Sequence, residues 1–458
     1  MRSFMANEIK DSTLQLRVTN RQILKIALPI SFAILIPQLN FITNNIFLGH
    51  FPDNGKSLAI AGITGVYYLI FASIGFGLNN GLQALISRRA GENRPDEIGK
   101  LFNQGVFIAL SIAALGIIIT YLFVPGIFRY FIKDEGRLQQ AVIFLKIRIW
   151  GLPFLYIYQM RNALLVGTNQ SNYLIAGTLA ETICNVFLDY TLIFGKLGFP
   201  AMGFNGAAVA SIVAEFTGML VVYLVIFKKG ISKRFKLFKK FNWDPDNLRL
   251  LLNMSSPLIF QHAISIMSWE YFFLMIDKHG EMALAISNTM RNVFGLFGAV
   301  TWAFAATAST MVSNIIGQNK KEEVWKLIGK LVKINVSFAI FIAVLLNLFP
   351  NLFMSVYGQP PSFTAAAIPV IRVVSVAMIL MSVSVVLLNA VTGTGNSRVT
   401  LLIEASTIIF YCLYVYIVLD KLFLSITIGW MSEWIYWTCI FIPSFLYLRS
   451  NKWKNKVI

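Results

Sequence analysis

The sequence predicts an all-α, polytopic membrane protein, and composition is the first reason. Hydrophobic residues make up 57% of the 458 residues, charged residues make up 13%, and the mean hydropathy is +0.67. A soluble domain is roughly half apolar and about a quarter charged, so this chain carries more apolar surface than a protein core can bury. Long apolar segments and an internal repeat are the other two reasons. Together they predict about twelve transmembrane helices in two six-helix repeats.

Segments long enough to cross about 30 Å of hydrocarbon recur along the whole chain. Polar stretches separate them, and none shows the residue alternation of a β-barrel strand. The three cysteines fall inside these segments without the spacing of a metal site, so we interpret them as small core residues. The predicted helices span 22–49, 58–86, 104–124, 141–166, 173–194, 205–227, 251–276, 284–316, 334–352, 366–392, 399–419 and 424–448.

Basic residues set the predicted orientation. The net charge is +18, and most of the 39 lysine and arginine residues lie in polar stretches on the side that also holds both termini. The positive-inside rule makes that side cytoplasmic. We expect a multi-pass, monomeric protein of the cell (inner) membrane with no nucleic acid partner. The basic run at 228–249 is interpreted as a topology-setting linker rather than a patch for lipid headgroups or nucleic acid.

The chain repeats itself at an offset of 226 positions, the interval between Phe71 and Phe297. A six-helix repeat gives both halves the same membrane orientation, related by a pseudo-two-fold axis along the membrane normal, which is a transporter architecture. We predict an N-terminal lobe at 1–235 and a C-terminal lobe at 236–458. Identical pairs at this offset are Ser87–Ser313, Gly91–Gly317, Asn93–Asn319, Glu97–Glu323, Lys100–Lys326, Gly167–Gly393, Thr168–Thr394 and Ser171–Ser397.

No enzymatic motif is found in the sequence: there is no Walker A, HExxH or GxSxG pattern. The glycine-rich stretch GTGNSR at 393–398 is predicted as a turn rather than a phosphate cradle. We therefore expect no enzyme activity and no cofactor, and transport driven by an ion gradient or by a partner. A receptor or anchor without transport is an alternative, but the repeat and the intramembrane acids argue against it.

Three polar residues of the stretch ETICNVFLDY, namely Glu181, Asn185 and Asp189, share one helix face because they are spaced by four. An acid at the centre of a membrane helix costs about 2.5–3.5 kcal/mol on insertion scales, so it tends to be kept for function. Carboxylate and carboxamide oxygens suit a hard cation such as Na⁺, and a buried carboxylate can instead take a proton. Interhelical hydrogen bonding is the alternative. The other intramembrane acids are Glu215, Glu270, Glu404 and Glu433.

Glu270 is the predicted centre of a substrate cleft in the second half. Trp269 and the aromatic residues at 271–273 beside it can form a cation–π wall for a lipophilic cation, although packing aromatics are an equal alternative. Arg291, in the next predicted helix, is placed to pair with Glu270. Gln83 belongs to a polar set on the first two predicted helices, and we include it in the cleft.

Three stretches resemble the MATE family, the multidrug and toxic compound extrusion transporters. They are ALPISFAILIPQLNFITNNIFLG at 27–49, GLQALISRRAGEN at 81–93 and NVFLDYTLIFGKLGFPAMGFNGAAVAS at 185–211, of which the last is the most specific. The resemblance covers nearly the whole chain. It implies a secondary active antiporter that exports organic cations or amphiphilic drugs, in exchange for H⁺ or Na⁺, by alternating access.

The resemblance also implies ion-coupling residues in the N-terminal lobe. In one prokaryotic branch of the family, an aspartate on helix 1, an Asn-x-x-x-Asp pair on helix 5 and a hydroxyl on helix 6 bind the cation. Asn185 and Asp189 match the pair, so Na⁺ or H⁺ is expected there, and Ser211 matches the hydroxyl. Asn44, fifteen residues after Pro29, stands where the aspartate is expected. Asp189 is then the main charge, with Glu181 close by.

A second family site uses acids on helices 7 and 10 of the C-terminal lobe. No acid lies near Met381, the matching place on helix 10, and Ser265 stands at the matching place on helix 7, whereas Glu270 fits a second acidic place on that helix. We therefore expect an incomplete C-terminal ion site. The alternative function is a flippase of the same wider superfamily that moves a lipid or lipid-linked saccharide, for which an arginine-lined cleft is expected.

Overall fold

The computed structural model describes residues 14–49, 56–238, 243–355 and 361–456, and every regular element in these ranges is helical. Within them, twelve long helices correspond to the twelve predicted segments. The helices, in chain order α1 to α12, are Asn20–Gly49, Lys56–Gly91, Pro95–Phe131, Glu135–Gly167, Leu174–Phe194, Phe204–Lys228, Pro245–Asp277, Glu281–Gly317, Val324–Leu348, Pro361–Gly393, Ser397–Val415 and Ser432–Arg449.

Nine candidate membrane spans occur in this part of the chain, judged by helix length and hydropathy. Helix α5 is not among them, although it is long enough to span, because Glu181, Asn185 and Asp189 lower its hydropathy. Helix α4 contains one 3-10 turn, Ile149–Gly151, between two α-helical stretches. The chain is thus an all-α, multi-pass membrane protein, as its sequence predicts.

The helix ends differ from the predicted segments because polar residues extend the helices past their apolar stretches. Helix α3 starts at Pro95, well before the predicted 104, with Asp96 and Glu97 in a first turn that favours acids. Before α7, Asp244 accepts a hydrogen bond from the backbone N–H of Asn247, which holds the pKa of Asp244 below its usual range. The last predicted segment, 424–448, forms a short helix, Ile426–Trp430, followed by α12.

Two compact units make up the structure. The first comprises Leu14 and the described residues of Phe32–Ser255, and the second comprises Gln15–Ser31 with the described residues from Ser256 onward. Helix α1 therefore begins in the second unit and ends in the first. Helix α7 begins in the first unit and ends in the second. The division into lobes at 235/236 stays a prediction about the repeat.

The repeat is visible in the backbone of each unit. Asn93 after α2 has a φ of 56°, and Asn319 after α8, its partner at the repeat offset, has a φ of 62°. Asn169 after α4 has a φ of 62°, and its partner Gly395 after α10 has a φ of 90°. A left-handed residue closes a helix C-terminus with hydrogen bonds to the last carbonyls. Equivalent helices therefore end with the same turn geometry in both units.

Candidate functional site

Helix α5 presents its polar stripe toward the interior of the first unit. Asp189 is fully buried, Asn185 is buried, and Glu181 is partly buried. The neighbouring helix α6 approaches closely because small residues line it. A Cβ added at Gly218 would lie 2.8 Å from the Cβ of Glu181 and 3.1 Å from the carbonyl oxygen of Gly177. The stripe therefore faces a tightly packed helix rather than lipid.

The register of α6 places Ser211 beside this stripe. Gly206 lies against Leu192, and Gly218 lies against Glu181, so the two helices run antiparallel. Ser211 falls between these two contacts, at the level of Asn185 and Asp189. The structure thus brings three of the sequence-predicted ion-coupling residues to one level of the α5–α6 pair.

A buried ion pair, Arg148 with Glu215, adjoins the stripe and was not included among the predicted site residues. Arg148 Nη1 donates to Glu215 Oε2 at 3.0 Å, and the Tyr68 hydroxyl donates to Glu215 Oε1 at 3.4 Å. The Arg148 guanidinium lies 3.9 Å from the centre of the Tyr68 ring. Arg148 is also within electrostatic range of Asp189 and Glu181. The sequence feature that could have identified this pair is Arg148, a basic residue inside the predicted apolar segment 141–166.

A second buried arginine approaches Glu181 from α4. Arg161 is fully buried, donates to the carbonyl of Gly218 at 3.2 Å, and stacks 3.8 Å from the centre of the Tyr158 ring. Glu181 is within electrostatic range of Arg161. Its buried Oε2 atom has no hydrogen-bond partner within the described ranges. Glu181 is therefore close to positive charge without a direct ion pair to it.

These charges do not balance. Three carboxylates, Glu181, Asp189 and Glu215, share the cluster with two guanidinium groups, Arg148 and Arg161. Both arginines stay protonated, so the ionised cluster carries one negative charge in excess. Excess charge in a desolvated site favours uptake of a proton or a monovalent cation. In the part of the chain that the structure describes, no group of three or more His, Cys, Asp or Glu side chains converges as metal ligands.

Two further sequence-predicted residues belong to α1 and α2. Asn44 belongs to α1, and its side chain lies outside the described part of the structure. Gln83 is buried on α2, within the first unit. The predicted substrate cleft therefore has one member, Gln83, in the first unit, while its other three members lie in the second unit.

In the second unit, Glu270 on α7 forms an ion pair with Arg291 on α8. Arg291 Nη2 lies 2.8 Å from Glu270 Oε1, as the sequence indicates, and the guanidinium lies 4.1 Å from the centre of the Phe273 ring. The side chains of Arg291 and Glu270 keep 39% and 34% of their exposure. Trp269 contributes to an aromatic cluster. Its ring partners are Phe272, Phe273, Phe294 and Trp430.

The chain matches known proteins over nearly its full length. The family model MatE matches it twice, at 29–191 and 257–417. A probable multidrug resistance protein NorM of Thermotoga maritima is 23% identical over 96% of this chain and 94% of its own length. A NorM protein of Halalkalibacterium halodurans is 24% identical over 65% of this chain and 66% of its own length.

Solved structures share the fold. A transporter of the MOP superfamily from Pyrococcus furiosus, described as having a binding pocket of reversed polarity, superposes with a TM-score of 0.85 at 16% identity. The match covers 94% of this chain and 95% of that chain. A multidrug resistance MATE family transporter in an outward-facing conformation gives a TM-score of 0.85 at 17% identity, covering 95% and 96%.

Proposed function

The chain belongs to the MatE family of multidrug efflux transporters, and from this premise we propose that it is a secondary active antiporter that exports organic cations or amphiphilic drugs in exchange for H⁺ or Na⁺. Members of this family are transporters rather than enzymes. We place the protein in the inner membrane as a monomer with both termini cytoplasmic, in keeping with its basic segments.

The excess negative charge around α5 carries the proposal. Glu181, Asp189 and Glu215 outnumber Arg148 and Arg161 by one, so the cluster can take one proton or one Na⁺ when it is open to water. Binding of that cation and binding of the drug are reciprocally coupled if each favours a different conformation. Asp189 and Asn185 are the proposed ligands, supported by Ser211 at the same level and by Asn44 on α1.

The proposed binding site for the drug is at Glu270. Its ion pair with Arg291 is partly exposed, and Trp269 with its ring partners supplies the apolar side. A cationic drug can displace Arg291 as the partner of Glu270 and stack on the rings. A flippase cleft lined by arginines receives no support from Arg291, because that guanidinium is already engaged by a carboxylate.

The test is dye export from proteoliposomes under an imposed H⁺ gradient alone and an imposed Na⁺ gradient alone. Asp189→Asn keeps the shape of the side chain but removes the charge that the cation neutralises. We expect gradient-driven export to fall to the level of empty liposomes. Asp420→Asn is the matched control, because Asp420 pairs with Lys278 near the end of α11 and outside the cluster.

Two outcomes would contradict the proposal. Full gradient-driven export by Asp189→Asn would exclude the α5 cluster as the site that couples cation binding to export. Gradient-independent movement of a fluorescent lipid, with no dye export, would favour the flippase. The gradient that drives the wild type identifies the coupling ion.

A further inference from the structure

A buried carboxylate in the second unit is not used by the proposed antiport site. Glu404 on α11 is 1% exposed. Its Oε1 accepts hydrogen bonds from the hydroxyls of Ser265 on α7 and Tyr436 on α12, and Gln261 Nε2 contacts Oε2 at 3.5 Å. The two hydroxyl oxygens lie 3.1 Å apart. Two hydroxyl oxygens, one from α7 and one from α12, thus form a three-membered ring of oxygens with one carboxylate oxygen of α11.

The groups that bear directly on Glu404 are neutral. They are the hydroxyls of Ser265 and Tyr436 and the amide of Gln261. Arg291, the basic residue within α8, is engaged by Glu270, and Arg372 of α10 is exposed. An ionised carboxylate held in this way has hydrogen bonds but no compensating positive charge, which is costly in a membrane interior.

The titratable groups on the helices packed around Glu404 do not supply that charge. Glu433 on α12 is itself buried and accepts from Tyr411 at 3.4 Å and from Trp437 Nε1 at 3.1 Å. His262 follows Gln261 on α7. Tyr436 and Tyr411 are neutral phenols that donate to the two acids. The neighbourhood therefore holds two carboxylates, and the described contacts pair neither with a cation.

A second, independent feature points to a ligand. Thr407 lies three residues after Glu404, on the same face of α11. It is buried at 1% exposure, and its hydroxyl oxygen has no hydrogen-bond partner within the described ranges. At the repeat offset of 226, Thr407 is the counterpart of Glu181. The Thr407 hydroxyl oxygen therefore lies one helical turn from Glu404 without a hydrogen-bond partner in the described ranges, at the position where the first unit carries the acid Glu181.

We propose that Glu404, Ser265 and Tyr436 form a second binding site for a small monovalent cation, H⁺ or Na⁺, with Thr407 as an additional oxygen. The site uses α7, α11 and α12, and so differs from the helix 7 and helix 10 pattern that the sequence lacks. A proton would bond to a Glu404 oxygen and be donated to one of the hydroxyls. A sodium ion would be held by the carboxylate and the neutral oxygens. The inference goes beyond the α5 cluster and does not need that cluster to couple transport.

The test measures cation binding rather than export. Infrared difference spectra of the purified protein, recorded through a pH titration without Na⁺, report protonation of buried carboxyl groups. ²²Na⁺ binding at fixed alkaline pH reports the other cation. We expect Glu404→Gln to lose one titrating carboxyl band, one bound Na⁺, or both, whereas Asp189→Asn retains that signal. Glu433→Gln is the matched control for removing a neighbouring buried acid, and it should keep the Glu404 signal.

Two milder variants keep the test decisive if Glu404→Gln fails to fold. Ser265→Ala and Tyr436→Phe each remove one hydrogen bond but leave the carboxylate. Each should move the titration midpoint of the band by about one pH unit, the size of one hydrogen bond, or weaken Na⁺ binding several-fold. The proposal is overturned if Glu404→Gln changes neither signal, or if both hydroxyl variants match the wild type. Dye export does not enter the readout, so failure of the antiport proposal is a separate result.

Discussion

At the scale of single residues, the buried pair of Arg148 and Glu215 explains why a glycine is required beside it. A Cβ at Gly151 would lie 2.3 Å from Arg148 Nη1 and 2.3 Å from Glu215 Oε2. The pair occupies the space that any other side chain would need. Removing one partner of such a pair leaves a buried charge uncompensated, which costs about 3–5 kcal/mol, whereas removing both charges costs much less.

We therefore expect Arg148→Gln to lower the thermal unfolding midpoint of the purified protein strongly. The double variant Arg148→Gln/Glu215→Gln should recover most of the loss, because its two neutral amides can still hydrogen-bond. Intrinsic tryptophan fluorescence during heating measures both midpoints. A double variant as unstable as the single one would show that the shape of the two side chains, and not their charge, stabilises the structure at this pair.

Glu270→Gln should behave in the opposite way, affecting export more than stability. The Glu270–Arg291 pair is partly exposed, and such pairs contribute only about 0–1 kcal/mol. We expect an unfolding midpoint close to that of the wild type and weaker export of cationic dyes. Glu281→Gln, an exposed acid at the start of α8, is the control. Unchanged export across several cationic dyes would reduce Glu270 to a packing residue.

At the scale of elements, the α5–α6 pair depends on small residues more than on its polar ones. A Cβ at Gly218 meets Glu181 at 2.8 Å, and a Cβ at Gly177 meets Val222 at 2.3 Å. Small residues that let helix backbones approach closely are the usual basis of helix association in membranes. The stripe of Glu181, Asn185 and Asp189 keeps its position because α6 packs against it.

Gly218→Ala should therefore push α6 away from α5 and weaken both stability and ion-coupled export. Gly126→Ala on α3 is the matched control, because nothing lies within 4 Å of an added Cβ there. Alanine has a helix propensity about 1 kcal/mol better than glycine, so the control should be neutral or slightly stabilising. Unfolding midpoints and dye export measure both variants. Equal behaviour of the two would show that the helices can separate without cost.

The helices themselves could be predicted from the sequence, whereas much of the candidate site could not. Apolar length identifies a membrane helix without any knowledge of its neighbours, and the spacing of Glu181, Asn185 and Asp189 places them on one face. The pairing of Arg148 with Glu215 joins α4 to α6 and depends on tertiary packing. The Glu404 ring joins the consecutive helices α11 and α12 to Ser265 of α7, which is 139 residues away from Glu404. Of these side-chain pairings, only that of Glu270 with Arg291, on consecutive helices, could be predicted from the sequence.

At the scale of the whole molecule, the sequence repeat accounts for the same helix-ending turns in both units. Asn93 and Asn319 adopt left-handed backbones after equivalent helices, and the basic clusters that follow them are also repeated. In the first unit, Arg89 contacts Glu92 and Glu97, each at 2.8 Å. In a membrane protein of this kind, basic segments at equivalent turns should face the same aqueous compartment.

This gives a prediction about topology, which is that the linker at 228–249 and both termini face the cytoplasm. In a background with Cys184, Cys412 and Cys439 replaced, single cysteines at three exposed lysines can be labelled with a membrane-impermeant maleimide in intact cells. Lys233→Cys in the linker and Lys452→Cys near the C-terminus should react only after the membrane is permeabilised. Lys133→Cys, between α3 and α4, should react in intact cells, because an odd number of spans separates it from the cytoplasmic N-terminus. Labelling of Lys233→Cys from outside would require an odd number of spans before the linker, and the two halves would then lie inverted in the membrane rather than parallel.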